Sequence, residues 1–326
     1  MRVGQADMIT VLVTAPTLGS AGVAKMREAG FDVLFVKNGV EELEHLMSTQ
    51  TIDAVISRTL RLSGAAIRSC KTLKIISKHG AGVNNIDIDA ATELGVPVVY
   101  TPGANAQSVA ELTFGLALSV ARRIPFHSSS FHNGKWTRSN EGIQLHGRTL
   151  GLIGIGDIGL RVGELGLAFG MNVLACDPNV SNPKFNMVNS VSDLLPKVDV
   201  LSLHVPLNSQ TENMIGAPEL ARLKPEAILI NTARGGIVDE TALAAALKSK
   251  AIWGAGFDVS DDEPPAPESP LRGLSNFVMT PHIGGSTSAA LEAVASAASI
   301  SVINYLRSGT VDVELCVNPG VLKEKA

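Results

Sequence analysis

Short runs of β-branched and aliphatic residues alternate along the whole chain with stretches whose apolar positions recur at helical spacing. Such alternation predicts parallel strands covered by helices. In the first third, the runs Ile9–Thr14, Phe31–Val36, Ile52–Ser57, Leu73–Ser77 and Val96–Tyr100 predict strands. Helices are expected between them, for example Ser20–Ala29 ending at Gly30, and Glu41–Met47. A second series begins at Thr149–Ile153 and continues through Asn172–Cys176, Val198–Leu203, Ala227–Asn231, Ile252–Phe257 and Asn276–Met279. The pattern predicts an α/β protein with two doubly wound units in tandem.

Thr101-Pro102-Gly103 breaks the first series, and a long helix follows. Ser108 and Glu111 have capping-box spacing before the apolar body Leu112–Val120. A second long helix is expected from about Ser286 to Arg307, closed by Gly309, with Ala and Ser suited to tight packing. The tail Val311–Val317 reads as a strand. Whether it returns to the first unit is left open by the residues themselves.

Composition narrows the function classes. The 326 residues suffice for two domains, and 45% hydrophobic against 18% charged residues excludes a disordered chain. Only 4% are aromatic, so aliphatic residues must build the core. A formal net charge of −4 supplies no basic field for nucleic acid or anionic lipid, and neither partner is expected. No stretch reaches the ~18 continuous apolar residues of a membrane helix. Cys70, Cys176 and Cys316 lie far apart without a CxxC pair, so reduced thiols in a cytoplasmic protein are expected, with no metal.

The first chemical signal is Gly154-Ile-Gly156-Asp-Ile-Gly159, which follows a predicted strand and opens a predicted helix, Leu160–Phe169. Alone the glycines are weak. Here the next strand ends at Asp177, near the ~20-residue distance at which a dinucleotide fold places its ribose-binding acid. Gly154 allows the tight turn, Gly156 lets backbone approach a pyrophosphate, and Gly159 lets helix pack on strand. The helix N-terminus offers free N–H groups to phosphate. Asp177 would accept from the ribose hydroxyls and repel a 2′-phosphate, favouring NAD, although Asp177-Pro178 also suits a plain strand-ending turn. Asp157 fits either a place beside the pyrophosphate or a solvated first-turn acid.

Three further residues follow predicted strands of the same series: Arg234 in Asn231–Asp239, Glu263 in Asp258–Pro264, and His282 in Thr280–Ser286. Reduction of a 2-oxo acid needs a cation for the carboxylate, a proton donor for the carbonyl oxygen, and a partner for that donor. Each residue alone also suits a surface turn or a structural loop. Convergence at the carboxyl ends of strands, where open α/β sheets bind ligands, favours the chemical reading.

With these motifs the chain resembles the D-isomer-specific 2-hydroxyacid dehydrogenases, in the phosphoglycerate dehydrogenase and hydroxypyruvate reductase branch. The resemblance rests also on Gly80–Asp87, on Thr101–Asn105 with Ser108–Glu111, and on Pro281–Thr287, and covers nearly the whole chain. It implies a discontinuous flavodoxin-like substrate-binding domain, 1–103 plus 290–326, and a Rossmann NAD-binding domain, 104–289, with an active-site cleft between them. It implies that Arg234 binds the substrate carboxylate, that His282 is the general acid/base, and that Glu263 pairs with it, since a nearby carboxylate favours imidazolium. Asp258 would hold the nicotinamide carboxamide, and Ile158, Pro206, Thr232 and Gly284 would join the cofactor contacts. Gly80, Ala81, Gly82 and Asn105 would close on the carboxylate.

Arg58 and Lys78 stand where the resemblance places phosphate-holding basic residues, though each also suits a surface charge. The first substrate expectation is therefore D-3-phosphoglycerate, with hydroxypyruvate, glyoxylate or another 2-oxo acid as the alternative. An NAD-sensing or corepressor-like binding protein is the rival of another class, opposed by the complete Arg234, Glu263 and His282 set. The resemblance further implies a homodimer through the NAD-binding domain, using the extended segment Arg122–Gln144 with Trp136 as an anchor. Asn84 departs from the family's usual Asp. The sequence ends too soon for a C-terminal regulatory domain, so serine feedback through one is not expected.

Overall fold

The computed structural model describes residues 8–136, 138, 142–180 and 184–322. The chain divides into two compact units, one running up to Asn105 and resuming at Ser286, the other Ala106–Gly285.

The first unit carries a parallel sheet of β1 (Thr10–Val13), β2 (Asp32–Phe35), β3 (Ala54–Ser57), β4 (Ile75–Lys78) and β5 (Val98–Val99). Their order, β2-β1-β3-β4-β5, reverses direction between β1 and β3. Alternation along each strand builds two faces. Val11, Val13, Ile56 and Ile75 pack with Ala298 and Val302 of the helix Ser288–Ser308. Leu12, Val55, Ile76 and Val98 pack with Leu43, Met47 and Ile67. The Ser288–Ser308 helix is capped by the Thr287 side chain and ends at Gly309, whose φ of 68° suits the left-handed position. It is long and apolar enough by composition to cross a membrane, but Ala295, Ala298 and Val302 are buried in the core of this unit.

The expected strand Val311–Val317 does not form. Asp312 instead caps a short turn, Val313–Leu315, and only Cys316 bridges Val99, in antiparallel sense. Backbone bonds from the Val317 amide to the Val98 carbonyl and from the Tyr100 amide to the Leu315 carbonyl cover the edge strand, together with Asn318, whose side chain accepts from the Val98 amide and donates to the Val96 carbonyl and Thr92 Oγ1. Asp312 and Pro319 favour turns, which limit the pairing to this one bridge and leave the Val98 amide to a side chain.

The second unit carries β6 (Thr149–Ile153), β7 (Asn172–Cys176), β8 (Asn186–Met187), β9 (Val200–Leu203), β10 (Ile228–Asn231), β11 (Gly254–Phe257) and β12 (Phe277–Met279). Their parallel order is β12-β11-β10-β9-β6-β7-β8, with the reversal between β6 and β9. The helix Ala106–Ala121 buries Phe114, Leu116 and Val120 against this sheet. Ser108 and Glu111 lie inside that helix, so the expected capping box is absent. Ser108 Oγ donates instead to the Gly284 carbonyl at 2.6 Å, and Glu111 accepts from Gln107. Ala106 and Gln107 carry the helix one turn further back than the spacing suggested.

Part of the segment expected to be extended, Arg122–Gln144, is a helix, Ile124–His132. Residues 137 and 139–141 of that segment lie outside the described residues. Trp136 is 79% exposed. The three cysteines are free and buried.

Candidate active site

The glycine turn links β6 to the helix Asp157–Ala168. Gly154 has a φ of 87°, and a Cβ at Gly159 would overlap the Gly154 carbonyl oxygen, so the helix can start this close to the strand only with glycine there. Gly156 begins the helix without a side-chain cap, which leaves the first-turn amides for an anion, and open space surrounds its α-carbon. Asp177, just past β7, accepts from the Ile155 amide at 2.9 Å and from the Asn179 amide at 2.9 Å. The carboxylate thus ties the second strand to the glycine turn and stays partly open to a hydroxyl. Asp157 is exposed at the first turn of the helix. The residues fit a dinucleotide: amides without a competing cap, a glycine with room beside it, and an acid fixed at the neighbouring strand end.

The loops after β10, β11 and β12 carry the other residues. Asn231 closes the first, accepting from the Ala233 amide at 3.0 Å and donating to the Arg234 carbonyl at 2.8 Å. Gly235 follows where a Cβ would overlap the Ser260 carbonyl, and Gly236 donates to Asp261 at 2.6 Å. The β10 and β11 loops therefore approach backbone to backbone at Gly235 and are tied by the Asp261 carboxylate. Arg234 is half-buried. Burial pushes its pKa down, and the Glu263 charge opposes that shift, so Glu263 acts on Arg234 as well as on the histidine.

Glu263 Oε2 lies 2.7 Å from His282 Nδ1, while Oε1 accepts weakly from the Ser260 amide at 3.4 Å. With Nδ1 on the carboxylate, Nε2 is left for a substrate. The pair is open to solvent, the side chains being 50% and 41% exposed. His282 has a φ of 53°, an uncommon position for a residue with a β-carbon. The buried Thr232 pairs its hydroxyl with Thr113 at 2.9 Å. The Pro206 carbonyl accepts from Thr211 Oγ1 at 2.6 Å.

In the first unit, the loop after β4 is set by Thr101, whose Oγ1 accepts from the Gly80 amide at 2.8 Å and whose own amide donates to the Gly80 carbonyl. Gly80 has a φ of 127°. Ala81 is exposed, and Gly82 and Asn105 are partly so. Lys78 is buried. Its ammonium donates to Asn85 Oδ1 at 2.6 Å and to the Arg58 carbonyl. Arg58 is half-buried, bonds the Thr17 carbonyl at 2.7 Å and pairs with no carboxylate among the described residues.

The NAD-binding domain of the D-isomer specific 2-hydroxyacid dehydrogenases matches residues 114–284, which span the glycine turn, Arg234, Glu263 and His282. The chain belongs to this family. A D-3-phosphoglycerate dehydrogenase of Methanocaldococcus jannaschii is 38% identical over 98% of this chain and 61% of its own length. The chain thus spans about three-fifths of that relative. A hydroxypyruvate reductase of Thermotoga maritima is 41% identical over 77% of this chain and 84% of its own. The crystal structure of NAD+-bound 3-phosphoglycerate dehydrogenase from Entamoeba histolytica superposes with a TM-score of 0.82, at 28% identity, over 95% of this chain and 99% of that one.

Within this member of the family, two residues organise the loops in a way that their place in the sequence did not announce. Asn85 donates to Ser57 Oγ, the Arg58 carbonyl and the Leu60 carbonyl while accepting from Lys78. It fixes the exit of β3 that presents Arg58. Its neighbour Asn84, the departure from the family pattern, is exposed. Ser108 is the second, through its bond to Gly284. Four simultaneous contacts by one asparagine depend on the three-dimensional path of the segments leaving β3 and β4, which no spacing along the chain reveals.

Proposed function

We propose that the chain is an NAD-dependent dehydrogenase that interconverts a D-2-hydroxy acid and its 2-oxo acid. The observation that carries this reading is the His282–Glu263 pair at 2.7 Å, beside an Arg234 on which Glu263 also acts. NAD, when bound, supplies or accepts the hydride at C2. In the direction of reduction, Arg234 holds the carboxylate through paired N–H donors and draws electron density from the carbonyl. His282 Nε2 donates a proton to the carbonyl oxygen as C2 gains the hydride. Glu263 orients the ring through Nδ1, and general acid catalysis of this kind is worth about 10²–10⁴-fold. Asp177 opposes a 2′-phosphate, which favours NAD over its phosphorylated form.

For the substrate, D-3-phosphoglycerate comes first and hydroxypyruvate or glyoxylate second, following the names of the relatives. Arg58 rather than Lys78 is the residue for a distal phosphate, because the Lys78 ammonium is engaged by Asn85 and the Arg58 carbonyl. The chain acts in the cytoplasm, in keeping with three free cysteines, and pairs with a second copy through the exposed apolar side chains Ile124, Phe126, Phe131 and Trp136.

The test follows NADH absorbance with phosphohydroxypyruvate, hydroxypyruvate, glyoxylate and pyruvate. Turnover of at least one, with a D-configured product, is expected. NADH binding without turnover of any of them would refute the enzyme reading and leave the NAD-sensing one.

A further inference from the structure

We propose that Asn85 is the positioning residue for Arg58, and that its grip lets the chain favour 2-oxo acids with an anionic tail. This inference rests on the reading of Arg58 as the residue for a distal phosphate. Arg58 directly follows β3, and Asn85 lies beyond the end of its neighbour β4. The Arg58 backbone is pinned on both sides. Its amide donates to Thr14 Oγ1 at 2.8 Å, and its carbonyl accepts from Asn85 Nδ2 at 3.1 Å and from the Lys78 ammonium. Asn85 Nδ2 also donates to Ser57 Oγ at 3.1 Å and to the Leu60 carbonyl at 2.8 Å. Asn85 Oδ1 accepts from Lys78 at 2.6 Å, and the Asn85 carbonyl accepts from the Leu62 amide at 2.8 Å. The turn from Ser57 to Leu62 is thus wrapped round one residue, which meets it before, at and after Arg58.

Thr14 follows β1, so its bond to Arg58 crosses the reversal in strand order, the place where open α/β sheets take up ligands. An arginine side chain has many rotamers, and the reach of its head depends on where its backbone is held. Here the guanidinium donates to the Thr17 carbonyl at 2.7 Å and pairs with no carboxylate among the described residues. A neutral acceptor steadies the head, and its charge stays available to an incoming anion. Without the Asn85 side chain, three acceptors of the turn lose their donor, and the turn can swing the guanidinium away. Charge-assisted hydrogen bonds are directional, so such a shift weakens the hold on an anionic tail and spares a neutral tail that never used it.

The experiment measures kcat and KM at saturating NADH for phosphohydroxypyruvate and for hydroxypyruvate, which lacks the phosphate. It compares the full-length wild type with R58A, N85A and the double variant. R58A is expected to raise KM for phosphohydroxypyruvate about 10- to 100-fold and to leave that for hydroxypyruvate nearly as it was. N85A should do the same to a smaller degree, about 3- to 30-fold, with kcat for both acids held within about twofold. The double variant should be no worse than R58A, because nothing is then left to position. An N85A that weakens both acids alike, leaves both unchanged, or adds its full effect to that of R58A would overturn the proposal. If N85A does not fold, N85S, which removes the same amide, is read by the same outcomes. A wild type without preference for the phosphorylated acid, or an R58A that keeps the wild-type preference, would instead refute the reading of Arg58 on which the proposal rests.

Discussion

In the five-stranded sheet, Asp53 stands just before β3 and accepts from the Thr10 amide at 2.9 Å and from Lys74 Nζ at 2.8 Å. In the seven-stranded sheet, Asp199 stands just before β9 and accepts from the Thr149 amide at 2.8 Å and from Lys224 Nζ at 3.1 Å. Thr10 and Thr149 open the first strand of their sheets, and each lysine lies in the segment leading into the next strand. The two sheets are thus stitched alike where their strands begin, on either side of the reversal in strand order. Where the same strands end, they differ. β3 is followed by Arg58, a half-buried cation, and β9 by His204, whose pKa burial pushes well down. β1 is followed by Thr14, which accepts from the Arg58 amide, and β6 by Gly154, where a Cβ would overlap the His204 carbonyl. One end of each sheet keeps the fold, and the other carries the residues proposed for chemistry.

Substitutions at the strand ends should therefore change activity, and substitutions at the strand starts should change stability. The largest effect is expected from Arg234→Ala, which should lower kcat/KM about 10²–10³-fold while NADH affinity holds. Steady-state kinetics beside a fluorescence titration would show this, and a loss shared equally by NADH binding would contradict it. Asp199→Ala and Asp53→Ala should each cost about 1–3 kcal/mol by leaving a strand amide unpaired, with kcat/KM little changed. Denaturant unfolding tests this, and activity lost in step with stability would break the division between the two ends. The lysine partners, well exposed, add little beyond the amide bond. Asp177→Ala should narrow the preference for NADH over NADPH by about tenfold, through loss of the ribose contact. An unchanged ratio would remove Asp177 from cofactor selection.

The smallest effect lies in the two buried histidines. Burial, joined at His79 by the Arg58 charge, pushes the His79 pKa down to about 4, and burial pushes that of His204 down to about 3. Below the unfolded value of 6.5 the unfolded chain holds protons that the folded one refuses, so stability falls with pH from there toward 4. Melting temperatures should be level between pH 8 and 7 and decline from pH 6 to 5. His204→Gln should flatten the decline, and an unchanged slope would assign it elsewhere.

The regular elements were legible because strand and helix periods are local. The predicted strands reappear with their ends moved by a residue or two, and the glycine turn lies between β6 and its helix as its spacing implied. Asn186–Met187 escaped because two residues, one of them polar, carry no period. Val311–Val317 misled because its alternation matches a strand, whereas Asp312 and Asn318 make side-chain bonds that turn it. The site divides in the same way. Arg234, Glu263 and His282 could be named from their places after strands. Lys78 as an internal stitch, Asn85 as its partner and the hold of the Asp258 carboxylate on the Ile283 and Gly284 amides arise from bonds between loops far apart in sequence.

The central claim, that His282 paired with Glu263 delivers the proton, is tested most directly by single-turnover reduction of a 2-oxo acid that the wild type turns over, using enzyme preloaded with NADH. His282→Gln keeps a polar side chain of similar reach but cannot act as the acid. The rate of NADH oxidation should fall at least about 100-fold with NADH still bound. A variant that oxidises NADH within a few-fold of the wild-type rate would contradict the account.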